Sequence, residues 1–156
     1  MSSLTSNTNF LQQVNFKLTI QNPKFTNLEY FCTAVNLPSI AMGEVKQDYR
    51  NYQAYFPGET INYETLRVKF MVDEGLKNYT EALSWMQTNA STKGEPLRTD
   101  VILSILTSTN TINRQIQFHD AFPTAIGELN FDAQATSIQY ISCDLTLRFN
   151  ALTILK

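Results

Sequence analysis

The chain has 156 residues, a net charge of −2, 43% hydrophobic residues and only 17% charged ones, against a usual charged share of about 25%. The missing share is taken by 18 Thr, 14 Asn and 10 Gln. This excludes a coiled coil, argues against disorder because 18 aromatic side chains can drive ordering, and excludes a nucleic-acid binder held by basic charge. A length of this order is served by one core, so a single domain over residues 1–156 is expected, without metal or disulfide staples.

Met1–Asn9 is small and polar and reads as a mobile arm; it has no basic-then-apolar pattern of a secretory leader. Asn15–Gln21 alternates, with Phe16, Leu18 and Ile20 on one face and Lys17, Thr19 and Gln21 on the other, the period of a half-buried strand. Asn22-Pro23 ends it. Leu28–Leu37 reads as a second strand, closed by Pro38. Ala41–Phe56, with Tyr49, Tyr52 and Tyr55, alternates weakly and reads as a long exposed hairpin or loop. The stretch Phe56–Thr60 (FPGET) predicts a turn, since Pro fixes φ and Gly accepts unusual backbone angles.

Glu64–Val72 is the clearest strand, with Leu66, Val68, Phe70 and Val72 inward and Arg67 and Lys69 outward. Asp73-Glu74-Gly75 ends it and opens a helix over about 76–88, whose Leu76, Tyr79, Leu83 and Met86 form a stripe at helical spacing. Asp100–Ser108 and Arg114–His119 read as a hairpin around Thr109–Asn113. Phe122–Asp132 reads as a loop with a short turn. Thr136–Leu155 reads as a long final strand region, bent where Tyr140 beside Ile141 breaks the alternation. The expected fold is mainly β, an antiparallel barrel or sandwich of two packed sheets with one flanking helix. No run approaches the ~18 apolar residues of a membrane helix.

Residues with chemistry are few. His119 is the single histidine and stands at a strand end, away in sequence from both cysteines, so neither a Ser-His-Asp nor a Cys-His site is expected. One His and two separated Cys make no zinc site, and no glycine-rich phosphate loop occurs. Asp73-Glu74 is explained as a helix start, and Glu59 and Glu64 as solvated turn flanks. Cys32 and Cys143 lie in apolar runs and read as buried free thiols; their spacing does not decide a disulfide. Tyr49, Tyr52 and Tyr55 form either a recognition surface or a strand edge packed on its own domain. No Lys or Arg falls between Arg114 and Arg148, while Asp120, Glu128, Asp132 and Asp144 do. Such a stretch repels phosphate.

The order of these pieces resembles the tail tube proteins of contractile-tailed bacteriophages, including the tube-like proteins of their baseplates. It is carried by NFKLTI at Asn15–Ile20, by Leu37-Pro38-Ser39-Ile40, by Pro57-Gly58-Glu59 and then Tyr63–Met86 (YETLRVKFMVDEGLKNYTEALSWM), by Phe122–Phe131 and by Leu145–Ile154. The resemblance implies a virion structural protein without catalytic residues, cofactor or metal. It implies hexameric rings stacked into a tube inside a sheath and upon a baseplate, assembled in the host cytoplasm, with genomic DNA passing through the lumen unbound. Related tubes serve bacterial contractile injection systems. On this reading Tyr49, Tyr52 and Tyr55 are candidates for contacts between subunits. Thr19, Gln21, Ser142, Asp144, Thr146 and Asn150 are candidates for the lumen wall, with Lys17 and Arg148 at ring edges or paired with carboxylates. A ring that starts or caps the tube is the near alternative. A monomeric barrel binding a small ligand among its Phe and Tyr side chains is the alternative of another class.

Overall fold

The computed structural model describes residues 11, 13, 15–25, 29, 32–91 and 93–155. The polar arm expected at Met1–Asn9 lies outside the described residues, as do Leu28, Tyr30 and Phe31 at the start of the second expected strand. Nine strands follow in order: β1 (Phe16–Ile20), β2 (Cys32–Asn36), β3 (Ile40–Asp48), β4 (Gln53–Tyr63), β5 (Leu66–Met71), β6 (Thr99–Leu106), β7 (Ile112–Ile126), β8 (Ser142–Arg148) and β9 (Ala151–Leu155). A 3-10 turn at Pro23–Phe25 follows β1, and helix α1 (Lys77–Ser91) joins β5 to β6.

Seven strands form one antiparallel hydrogen-bonded system in the order β1-β6-β7-β8-β5-β2, with β9 also on β7. The 15-residue strand β7 belongs to both faces of this system. Its first part pairs with β6 and β9, and Phe122–Ile126 pairs with β8. Strands β8 and β9, separated only by Phe149 and Asn150, follow β7 along its whole length. This two-stranded ribbon is bent in the middle, so it folds the system into two packed sheets. The first sheet is β1, β6, early β7 and β9; the second is late β7, β8, β5 and β2.

The bend has a local cause. Two residues of β7, His119 and Asp120, stand opposite the single Asp100 of β6, which is a bulge. Asp120 takes φ 56°, a left-handed angle that Asp tolerates better than most residues. Its amide donates to the Asp100 carboxylate at 3.1 Å, and the Asn150 amide donates to the His119 carbonyl at 3.0 Å. The backbone groups freed by the bulge are thereby satisfied.

The core lies between the two sheets. Leu18, Ile20, Val101, Leu103, Ile116 and Phe118 face Leu66, Val68, Phe70, Leu145 and Leu147 in one buried cluster. Burial of each such side chain contributes roughly 1.5–3 kcal/mol. The alternation read at Asn15–Gln21 and Glu64–Val72 is the inward–outward alternation of β1 and β5. Cys32 and Cys143 stand on opposite sides of Phe70, one on β2 and one on β8. Two strand spacings, about 9–10 Å, exceed the ~7 Å limit for a disulfide, and both thiols are free.

The first amide of helix α1, that of Lys77, donates to the Asp73 carboxylate at 2.6 Å. The stripe expected at Leu76, Tyr79, Leu83 and Met86 is not the buried one. Asn78, Ala82 and Trp85 face the core, while Leu83 is 37% exposed. A buried asparagine hid this face from an apolar pattern. The Asn78 side chain donates to the Met71 carbonyl and accepts from the amides of Asp73 and Tyr79, so it staples the end of β5 to the helix. Trp85 stacks on Phe25 with ring centroids 4.5 Å apart and donates its indole N–H to the Leu97 carbonyl at 2.8 Å.

Three other expectations are corrected. Phe56–Thr60 is no turn: it runs inside β4, opposite β3. Gly58 crosses Gly43 so closely that a Cβ on it would lie 2.5 Å from the Gly43 carbonyl oxygen. Pro57 and Gly58 therefore mark a bulge between the Met42–Ile61 and Glu44–Pro57 pairs, where a strand tolerates both residue types. Phe122–Ile126 is strand despite Pro123, because a bulge lies beside it. Thr136–Ile141 is irregular, and β8 starts only at Ser142.

The difference between the two helix faces is measurable. Trp85→Ala should cost about 3–5 kcal/mol in urea unfolding, as buried aromatic truncations do, whereas Leu83→Ala should cost under ~1 kcal/mol. Gly58→Ala should leave the core's unfolding midpoint nearly unchanged but abolish hydrogen-exchange protection across β3 and β4, because the added methyl cannot share space with the Gly43 backbone.

Candidate functional site: the projecting arm and the outer sheet faces

Among the described residues strands β3 and β4 pair only with each other. They extend the β2–β5 hairpin beyond Pro38, with the Glu64 amide bonded to the Ser39 carbonyl at 3.1 Å. Tyr63 roots the arm by packing on Phe149, with ring centroids 5.4 Å apart. Nine to eleven residues per strand make an arm about 30 Å long. Ile40, Met42, Val45, Phe56 and Ile61 are all exposed along it. An isolated two-stranded ribbon is at best marginally stable in water, and this one presents apolar side chains to solvent. Those two facts make the arm the candidate contact surface.

The three tyrosines singled out in the sequence cluster at the end of this arm. Tyr49 and Tyr52 stack at 4.8 Å and 19°, and the Tyr49 amide closes the turn on the Tyr52 carbonyl at 2.8 Å. Tyr52 is 64% exposed and Tyr55 58%, so none of the three is buried against its own domain.

The six lumen candidates do not form one surface. Thr19 lies in a row with Ile102, Gln117 and Thr153 across the outer face of the first sheet, and Gln21 continues β1 beside Asp100. Ser142, Asp144 and Thr146 lie on the outer face of the second sheet, where Asp144 stands opposite Lys69 and Thr146 opposite Arg67. Asn150 sits at the bend, its side chain directed to Asp120 at 3.5 Å. Arg148 makes no ion pair with a carboxylate among the described residues, where the close contacts between acidic and basic side chains are Lys46–Asp48 and His119–Asp100.

The two outer faces differ in chemistry. The first carries mostly amides and hydroxyls, with Lys17, Asp100 and His119 among them. Gln115 donates to the Ser104 hydroxyl at 3.2 Å, and Gln117 to the Asp100 carboxylate at 2.7 Å. The second carries Arg67, Lys69 and Arg148 against Asp144. Sequence inspection could not separate these faces, because the assignment of β1 and β8 to different sheets rests on the bend in β7.

His119 lies on the first face. Its Nε2 meets the Thr153 hydroxyl at 2.8 Å, and its Nδ1 is 3.8 Å from the Asp100 carboxylate. The acid–imidazole–hydroxyl order is that of a hydrolase triad, but 3.8 Å is too long for a hydrogen bond, and Asp100 is engaged by Gln117 and the Asp120 amide. The three residues bolt β6, β7 and β9 together beside the bend. Among the described residues no group of three or more His, Cys, Asp or Glu side chains could hold a metal ion, and no helix is long and apolar enough to cross a membrane.

Two packed sheets sharing a bent ribbon, with a helix against their side and a projecting two-stranded arm, make a fold with counterparts among solved structures. Among solved structures that share it is a chain in the extended sheath–tube complex of the extracellular contractile injection system PVC, with a TM-score of 0.70 and 17% identity over 99% of both chains. A chain of the anti-feeding prophage tube-terminating cap matches with a TM-score of 0.69 and 19% identity over 98% of this chain and 95% of that one. Hcp1 from Flavobacterium johnsoniae matches with 0.56 and 16% identity over 89% and 93%. At these identities the likeness is one of fold. No protein-family model matches the chain, and no curated protein sequence matches it.

Burial pushes the Cys32 thiol up to about 11 from an ordinary value of 9.0, partly offset by its contact with the Ala34 carbonyl. Burial also raises Cys143. Both thiols should react slowly with a disulfide reagent at pH 8 in the folded protein and fast in denaturant. Between pH 9.0 and about 11 the unfolded chain releases the Cys32 proton and the folded chain keeps it, so stability falls as pH rises through that window. Comparison of unfolding free energies for the wild type and Cys32→Ala from pH 8 to 11 should show a shallower decline in the variant.

Proposed function

We propose that this protein is the structural subunit of a contractile-tail tube. It forms hexameric rings that stack within a sheath and upon a baseplate, in a virion or virion-like particle assembled in the cytoplasm of the producing cell. The observation that carries the reading is the end-to-end likeness of fold to a chain of a sheath–tube complex, over 99% of both chains. The arm supports it independently, because a long apolar ribbon with no partner strand among the described residues is suited to finding one in an assembly. The protein acts by shape, and no residue takes a catalytic role.

The outer face of the first sheet suits the bore. A conduit for DNA must let the duplex slide, and each phosphate held by a cation adds free energy that resists movement. Thr19, Gln115, Gln117 and Thr153 offer amides and hydroxyls there, with Lys17 as a single β1 cation in the row of Ser104 and Gln115. A wall made of the second face, with Arg67, Lys69 and Arg148, would grip phosphate. The subunit's net charge of −2, repeated around a ring, acts in the same direction.

A ring that caps or starts the tube is the second reading, favoured by the likeness to a chain of a tube-terminating cap. The monomeric ligand-binding barrel is disfavoured by the core: Phe118 and Phe149 pack edge-to-face at 4.9 Å, and Phe70 and Phe118 are fully buried against other side chains. Negative-stain microscopy of the purified protein at micromolar concentration should show six-fold rings or tubes. Hydrogen exchange across β3 and β4 should be slower in the assembled fraction than in dilute subunits. A concentration-independent monomer, with equal exchange in both fractions, overturns the proposal.

A further inference from the structure

The irregular segment between β7 and β8 forms an open cavity of about 650 Å³. Its lining comes entirely from residues 128–142, and none of it from the arm. Three large apolar side chains stand there in solvent: Phe131, Tyr140 and Ile138, the last 92% exposed. The rim is acidic through Glu128 and Asp132, and no Lys or Arg occurs between Arg114 and Arg148 to neutralise it. A cavity of this volume is large enough for a sizeable ligand.

The end of the arm has the opposite character. Tyr49 and Tyr52 form a preformed stacked knob, and the turn that carries them is closed by a backbone hydrogen bond. Arg50 lies exposed between them and makes no ion pair among the described residues. Lys46, the next cation along the arm, is already paired with Asp48. A rigid aromatic pair with one unpaired guanidinium is the composition found at the energetic centre of protein interfaces. A guanidinium is also well matched to carboxylates at a rim. Preorganisation of the turn lowers the entropic cost of docking it.

We propose that the arm tip of one copy of this chain, Tyr49–Tyr52, seats in the cavity between β7 and β8 of a second copy, with Arg50 set against Glu128 and Asp132. The contact joins two different patches, so it runs head to tail: copies linked this way close into a ring or continue as a stack, according to the rotation between them. It names the surface that receives the arm, and it rests on the tube-subunit reading.

The test uses charge reversal and mixing. Arg50→Glu makes tip and cavity both acidic; Glu128→Lys with Asp132→Lys makes both basic. Each variant alone should need at least ~10-fold more protein to assemble, read by sedimentation velocity, while a one-to-one mixture should assemble like the wild type. All three residues are exposed, and circular dichroism checks that the folds are intact. In parallel, a Tyr52→Cys preparation mixed with an Ile138→Cys preparation should give a covalent heterodimer on oxidation. Wild-type protein is the control for its own two thiols. If the wild type forms rings, both charge variants assemble equally well and no heterodimer forms, the arm docks elsewhere: this inference fails and the tube reading stands. If the wild type stays monomeric at every concentration and no heterodimer forms, both fail together.

Discussion

The structure depends on one bend in one ribbon. Without the bulge at His119–Asp120, β7 and the β8–β9 strand would run straight, and seven strands would form a single open sheet with one apolar face in water. The bend turns that face onto itself. Phe118 and Ile116 before the bulge then face the same core as Leu145 and Leu147 after it. The polar groups around it are arranged to hold it: Asp100 collects the Asp120 amide and Gln117, and the Asn150 amide closes on the His119 carbonyl. The single histidine belongs to this bracing, through the Thr153 hydroxyl on one side and the Asp100 carboxylate on the other.

Where one periodicity governed a segment, the sequence was legible. β1 and β5 alternate cleanly because each has one face in the core and one in solvent, and the hairpin of β6 and β7 follows the same rule. The misreadings have a common cause: a residue type with a strong local preference was used for a long-range purpose. Pro57-Gly58 signals a turn, yet serves a strand crossing where no side chain fits between Gly58 and Gly43. Asn78 signals a surface, yet is the buried staple between β5 and α1, and it rotates the helix by about one residue from its apolar stripe. Pro123 signals a loop, yet sits in a strand beside a bulge. Each can be seen only once the partner strand is in place.

The candidate site was half legible. The tyrosines were recognisable as a group because they recur every third residue in a segment with too little alternation to fold onto its own domain, and all three are exposed on the arm. The lumen residues were chosen by alternation alone. Alternation finds outward-facing side chains correctly, but it does not say which sheet a strand joins. Thr19 and Asp144 both point outward, from sheets that face opposite ways. The cavity beyond β7 had no periodic signal at all; its one sequence trace was the long interval without a basic residue.

The strands at the margins of the two sheets are short. β1, β2 and β9 have five residues each, whereas β6 has eight and β7 fifteen. β2 is further interrupted by a bulge between Cys32 and Ala34. Long, flat margins recruit any passing strand, and brevity and bulges are the usual defence. A subunit protected in this way can accumulate in a crowded cell without polymerising through its sheets. On the tube-subunit reading the joining is left to the arm, whose two strands each keep one edge of nine and eleven residues, unpaired among the described residues, beside their exposed side chains. On that reading the side chains at the arm's tip are what make an otherwise indiscriminate backbone edge selective for the right neighbour in the right orientation.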